Sequence, residues 1–128
     1  MDAACRSLFH VESFAPLAEG RGWQARAVMD PQHAILQGHF PGRPVMPGVA
    51  MVQLAGALLS RGLGRPVHLR SSRVIKFLSP LEPATGTVLD LTLRITGEDG
   101  DSVSCDVSGS CGDRAVFSIK GGFGPLPA

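Results

Sequence analysis

The sequence predicts an α+β fold in which an antiparallel sheet packs round one long central helix, and three observations predict it. Several segments alternate apolar and polar residues with period two, as strands do when one face is dry and the other wet. The run from Val49 to Leu59 is apolar or Gly at every position except Gln53, which marks a helix buried on all sides. Gly- and Asp-containing turns join the last three strands as hairpins.

In chain order, the first strand places Trp23, Ala25, Ala27 and Met29 on one face and Gln24, Arg26 and Val28 on the other. The helix begins after Pro47 and Gly48 and runs from Val49 to about Arg61, with Gly62 and Gly64 as its stops. Its apolar run falls well short of the ~20 residues of a membrane span. A strand over His68 to Leu78 follows, ending before Pro80 and Pro83, which cannot sit in a central ladder. From Val88 to Thr96, Leu89, Leu91, Leu93 and Ile95 point inward. The turn at Gly97 to Asp101 leads to Ser102 to Ser108, with Val103, Cys105 and Val107 inward. The turn at Ser110 to Asp113 leads to Arg114 to Lys120, with Ala115, Phe117 and Ile119 inward.

Composition fixes the class. With 128 residues, the whole chain, 1–128, reads as a single domain. A 44% hydrophobic content and a net charge of +1 disfavour disorder, despite sixteen Gly and ten Pro, and argue against a general nucleic-acid binder. Cys5, Cys105 and Cys111 are an odd set without CxxC spacing, so neither a disulfide framework nor a zinc site is expected. His10, His33 and His68 have no ligand spacing, and no metal or other cofactor is implied. No basic flank precedes an apolar run at the N-terminus, so no secretory signal is read and a cytoplasmic location is expected.

The densest signal is HFPGRPVMPG, His39 to Gly48, directly before the helix. Three prolines and two glycines in ten residues constrain the backbone more than a plain connection needs. The helix start after Gly48 offers unpaired N–H groups and a partial positive charge, suited to an anion or a polarised carbonyl oxygen. His39 has the ordinary pKa, ~6.5, of a general base working near neutrality. Taken alone, it would also serve as a turn histidine bonded to a backbone carbonyl.

The segment GHFPGRPVMPGV, Gly38 to Val49, resembles the signature of the FabA and FabZ type 3-hydroxyacyl-acyl-carrier-protein dehydratases. The similarity extends through the helix into IKFLSPLEPATGTVLDLTL, Ile75 to Leu93, and leaves out the first 20 residues and the tail after Lys120. The resemblance implies a hot-dog fold and dehydration of a 3-hydroxyacyl thioester to the trans-2-enoyl thioester, in fatty-acid or polyene type biosynthesis. It implies His39 as the base that removes the C2 proton and the Gly48 N–H as donor to the thioester carbonyl. Phe40, Pro47 and Val49 are expected beside the substrate, and Met46 and Met51 in the core or along an acyl tunnel. The implied substrate carrier is acyl carrier protein in preference to coenzyme A. The implied assembly is a homodimer or higher oligomer, with a hetero-oligomer containing a second hot-dog chain as the variant.

At the position of the family's acid, fourteen residues after His39, this chain has Gln53. An amide gives and accepts hydrogen bonds but cannot supply a proton as a carboxyl does. No Asp or Glu lies between Asp30 and Glu82 to replace it. Three readings stay open: His39 performs both proton transfers while Gln53 orients the hydroxyl or a water; the fold catalyses isomerisation or thioester hydrolysis; or the protein binds acyl thioesters without turning them over. Taken alone, Gln53 would also be satisfied by bonding backbone or its own symmetry mate.

Charge is unevenly spread. Arg21 to Pro80 holds eight basic residues and one acid, Asp30. Arg61, Arg65, Arg70, Arg73 and Lys76 form a candidate contact for an acidic carrier protein or its pantetheine phosphate. A solvated face explains the same charges, and the segment lacks the interleaved aromatics of a nucleic-acid site.

Overall fold

The computed structural model describes residues 7–37, 45–83 and 86–126. Among these residues, six strands and two helices are described, in the order β1 (Phe9–Pro16), β2 (Gly22–Met29), α1 (Ala34–Gln37), α2 (Gly48–Leu63), β3 (His68–Phe77), β4 (Val88–Asp99), β5 (Ser102–Cys111) and β6 (Arg114–Gly124). All strands join one antiparallel sheet in the order β1-β2-β4-β5-β6-β3. Helix α2 touches both β2 and β3, second and last in that order, so the sheet curves round it.

The period-two pattern produces the core. Leu89, Leu91 and Leu93 of β4 are at most 2% exposed, as are Val103, Cys105 and Val107 of β5. Each fully buried Leu or Val contributes roughly 1.5–3 kcal/mol relative to exposure. From the other side, Ala50, Met51, Leu54, Ala55, Leu58 and Leu59 of α2 close the same core. The opposite sheet face is polar and laced by cross-strand ion pairs, Arg26 with Asp90 at 2.8 Å and Lys120 with Asp106 at 3.8 Å.

Several expectations are corrected. Helix α2 runs past Arg61 and Gly62 to Leu63; Gly64 alone caps it, at φ 73° in the left-handed region, giving its N–H to Ser60 O at 2.9 Å. Gly62 lies inside the helix because the Trp23 ring packs where its side chain would be. Ala115 is exposed, because a bulge pairs Gly109 with Phe117 and Ser110 with Ala115, leaving Val116 to turn inward beside Phe117. Strand β4 continues through Gly97, where a second register shift lies, to Asp99, so the turn is shorter than the sequence implies.

Two elements lay outside the alternation rules. β1 pairs along β2 with a bulge between Val11 and Ser13, and Leu8 and Phe9 beside it are buried. The single turn α1 follows Asp30, whose carboxylate accepts the Gln32 N–H at 2.9 Å. Finally, α2 is not covered on all sides by its own chain: Val49 is 64% exposed, and Val52 and Gln53 are half-buried on the same stripe.

Candidate functional site

The site gathers at the N-terminus of α2. Pro47 precedes the helix in extended conformation, φ −61° and ψ 137°, and its side chain makes no capping bond. Among the described residues no side chain caps the amide donors of the first turn, and Ala50 N–H bonds back to Pro47 O at 3.1 Å. Gly48 opens that turn with its α-carbon bare to an aromatic neighbour. A β-carbon placed there would lie 2.5 Å from Cζ of Phe77.

Beside Gly48 lies a cleft of about 310 Å³ between two limbs, Val45 to Met51 on one side and Phe77 to Leu81 on the other. The limbs are stitched together by Met46 N–H donating to Leu81 O at 2.8 Å. Met46, Met51 and Leu81 form a closed apolar floor, each at most 3% exposed. Such a cleft, apolar with donors at one end, suits a chain whose head carries a polarised carbonyl.

Of the residues expected from the sequence, His39 and Phe40 lie outside the described residues. Gly48 and Met51 line the cleft and Pro47 adjoins it, whereas Val49 faces outward. Gln53 stands five residues into the helix from Gly48, roughly 7–8 Å along the axis at the usual rise. It shares the uncovered stripe with Val49 and is half-buried. Among the described residues no carboxylate belongs to the cleft lining. Glu19 is held elsewhere, by Arg94 at 2.7 Å, and that hydrogen bond keeps its carboxyl below the usual carboxylate range.

The five basic residues separate into two groups. Arg61 stacks 4.6 Å above Phe14, which in turn stacks on Trp23 at 6.3 Å. Arg65 donates to Asp101 O and Arg70 to Pro125 O. Arg73 and Lys76 stand exposed on β3, and no hydrogen bond or ion pair holds them among the described residues. Two of five thus stand exposed, Lys76 directly before Phe77 of the cleft and Arg73 farther back along β3, beside Ser72 and Asp106.

Phe77, Ser79 and Leu81 were missed as site residues. Their only signal was the segment KFLSPL, in which Phe77 ends the edge strand and Leu78 follows it, both exposed. His33 is locally satisfied: Nε2 lies 2.8 Å from Ser7 Oγ and Nδ1 accepts the Ile35 N–H at 3.1 Å. Among the described residues no three of His, Cys, Asp or Glu gather as a metal set. No helix among them is long and apolar enough to cross a membrane.

The family model and the sequence relatives are described as dehydratases, and the solved structures share the fold. The ApeI-like model, described as ApeI dehydratase, matches residues 16–117. A 3-hydroxyacyl-[acyl-carrier-protein] dehydratase FabZ of Novosphingobium aromaticivorans is 33% identical over 122 residues, covering 79% of this chain and 76% of the relative. The FabZ of Paracidovorax citrulli is 32% identical over 126 residues, covering 83% and 86%. Among solved structures, the dehydratase heterocomplex ApeI:P from Xenorhabdus doucetiae superposes with a TM-score of 0.71 at 22% identity, over 91% of this chain and 97% of that one. The Escherichia coli PaaI protein gives 0.64 at 16% identity, over 99% and 86%. At such identities the shared feature is the fold, which is the hot-dog fold.

Proposed function

The chain belongs to the ApeI-like dehydratase family, and from that premise we propose that it removes water from a 3-hydroxyacyl thioester to give the trans-2-enoyl thioester. The observation that carries this reading is the uncapped first turn of α2 opening, at Gly48, onto an apolar cleft. The thioester oxygen accepts from the Gly48 N–H, and the positive end of the helix stabilises the enolate-like charge. His39 takes the C2 proton. As the C3–O bond breaks, the same imidazolium returns a proton to the departing hydroxyl, which leaves as water, while Gln53 holds that hydroxyl in place. Phe40 and Pro47 flank the acyl head, and Val49 lies toward the assembly partner.

The substrate arrives on an acyl carrier protein, in preference to coenzyme A, with Arg73 and Lys76 as its contacts. The pathway is of fatty-acid or polyene type, and the free thiols of Cys105 and Cys111 suit the reducing cytoplasm.

A second reading draws support from the edge strand. Among the described residues β3 has only β6 as a neighbour, and it presents Ile75 and Phe77 partly uncovered, with Leu78 beyond its end. Such apolar exposure calls for a covering chain. Yet His68 to Leu81 carries Arg70, Arg73 and Lys76 without any acid, so pairing β3 with its own copy sets like charges side by side. A homodimer through this edge works against that repulsion. A non-identical hot-dog chain with an acidic edge does not, and could lend the carboxyl that Gln53 lacks; the ApeI:P relative is itself a heterocomplex.

The test is interconversion of 3-hydroxyacyl and 2-enoyl thioesters by the purified chain, beside His39→Ala and Gln53→Glu. Turnover by the wild type, abolished in His39→Ala, supports the first reading. A silent wild type awakened by Gln53→Glu supports the second, in which the acid comes from a partner. Release of free thiol without enoyl product would replace both with thioesterase activity.

A further inference from the structure

The side chain that Gly48 meets is set by the sheet. Phe77 pairs with Phe117, which is 1% exposed, and directly opposed residues of antiparallel strands share a face. The Phe77 ring therefore projects to the helix side, where its Cζ, Cε1 and Cε2 atoms come 2.5 to 2.9 Å from the point a Gly48 β-carbon would occupy. Beyond it the backbone is pinned: Leu78 and Ser79 N–H both donate to Val116 O, at 2.7 and 3.3 Å. The ring thus has a fixed origin and cannot withdraw by a backbone shift. It is nevertheless 54% exposed, since it stands at the cleft mouth rather than in the core.

We propose that Phe77 selects acyl groups that are unbranched at C2. The proposal rests on the acyl-thioester reading above. A carbonyl oxygen held roughly 3 Å from the Gly48 N–H places C2 one bond beyond the carbonyl carbon, alongside the Gly48 α-carbon. The tip of the Phe77 ring already occupies that neighbourhood. A C2 methylene passes along the ring edge, whereas a C2 methyl meets ring carbons backed by a pinned strand end. The floor formed by Met46, Met51 and Leu81 offers no alternative room, because all three are closed into the core.

The test measures binding, so it does not depend on turnover. Two pantetheine ketones, with the thioester sulfur replaced by a methylene, keep the carbonyl; one carries an unbranched butanoyl group and the other its 2-methyl homologue. Calorimetry on the full chain should find the unbranched probe bound roughly tenfold or more tightly by the wild type. Phe77→Ala should bring the two affinities to about equality, chiefly by tightening the branched probe, with Phe77→Leu between. Circular dichroism checks that the variants fold, which an exposed edge position allows. An unchanged ratio in folded Phe77→Ala, or no preference in the wild type, overturns the proposal. Selectivity without any turnover by the wild type sinks only the dehydratase chemistry. Binding of neither probe sinks the acyl-thioester reading and this proposal with it.

Discussion

Gly62 of α2 lies flat against the indole of Trp23 in β2: a β-carbon on Gly62 would fall 2.5 Å from Cε2 and 2.6 Å from Cδ2 of that ring. The ring is held from behind by Phe14, itself covered by Arg61. Gly62→Ala should gain about 1 kcal/mol of helix propensity and lose about 1–3 kcal/mol to overpacking. The expected outcome is a less stable protein in urea denaturation. A variant as stable as the wild type would mean that the indole moves aside freely.

Ser60 ties the end of α2 to the start of β3. Its hydroxyl accepts the Val67 N–H at 2.9 Å and lies 2.7 Å from Gly56 O and 3.1 Å from Val67 O, sharing its one proton between them. Ser60→Ala should cost about 1–2 kcal/mol, because a partly buried N–H loses its acceptor. Ser60→Thr, which keeps the hydroxyl, should retain most of that, as urea midpoints would reveal.

Cys105 makes alkaline stability a measure of core integrity. Burial, helped by neighbouring Asp106, pushes its thiol from the usual 9.0 up to about 12. Below pH 9.0 both folded and unfolded chains keep the proton, and the group has no effect on stability. Between 9.0 and about 12 the unfolded chain releases it and the folded one does not, so stability falls as pH rises. Urea midpoints from pH 8 to 11 should decline more steeply in the wild type than in Cys105→Ala. Equal slopes would place the thiol in contact with water.

Arg73→Glu with Lys76→Glu should raise KM for a carrier-borne substrate by about five- to tenfold at low salt, leaving kcat nearly unchanged. A thioester on pantetheine alone should show no change. The same reversal at Arg65, which is tied to Asp101 O, should have less effect on KM. If the pantetheine substrate suffers equally, the two residues shape the cleft rather than dock the carrier.

Much of the molecule was legible in local pattern. Leu89 to Ile95 and Val103 to Val107 alternate without interruption, and the structure follows them residue by residue. The run from Val49 to Leu59 announced the helix, since nothing polar but Gln53 breaks its apolar stretch. What escaped depends on contacts distant in sequence. Ala115 was read inward because alternation assumes an unbroken ladder, and the bulge opposite Gly109 breaks it. Gly62 read as a stop because glycine usually ends helices; here it makes room for a ring 39 positions earlier in the chain. The motif pointed to Gly48, but no spacing rule could pair it with Phe77. That meeting is made by the curvature that brings the sheet's last strand back to the helix.

The order of the strands also governs when the cleft can exist during synthesis. Among the described residues, 68–77 find a ladder only with residues 114–124, so for some forty residues of further translation β3 lacks its ladder partner. Helix α2 leaves the ribosome early and must wait, its apolar face uncovered, for the closing strand. The Gly48–Phe77 wall is therefore completed late, by the sixth of the six strands described. A chain stalled or cut before Phe117 would carry the whole HFPGRPVMPG motif and still lack the β6 strand on which that wall is pinned.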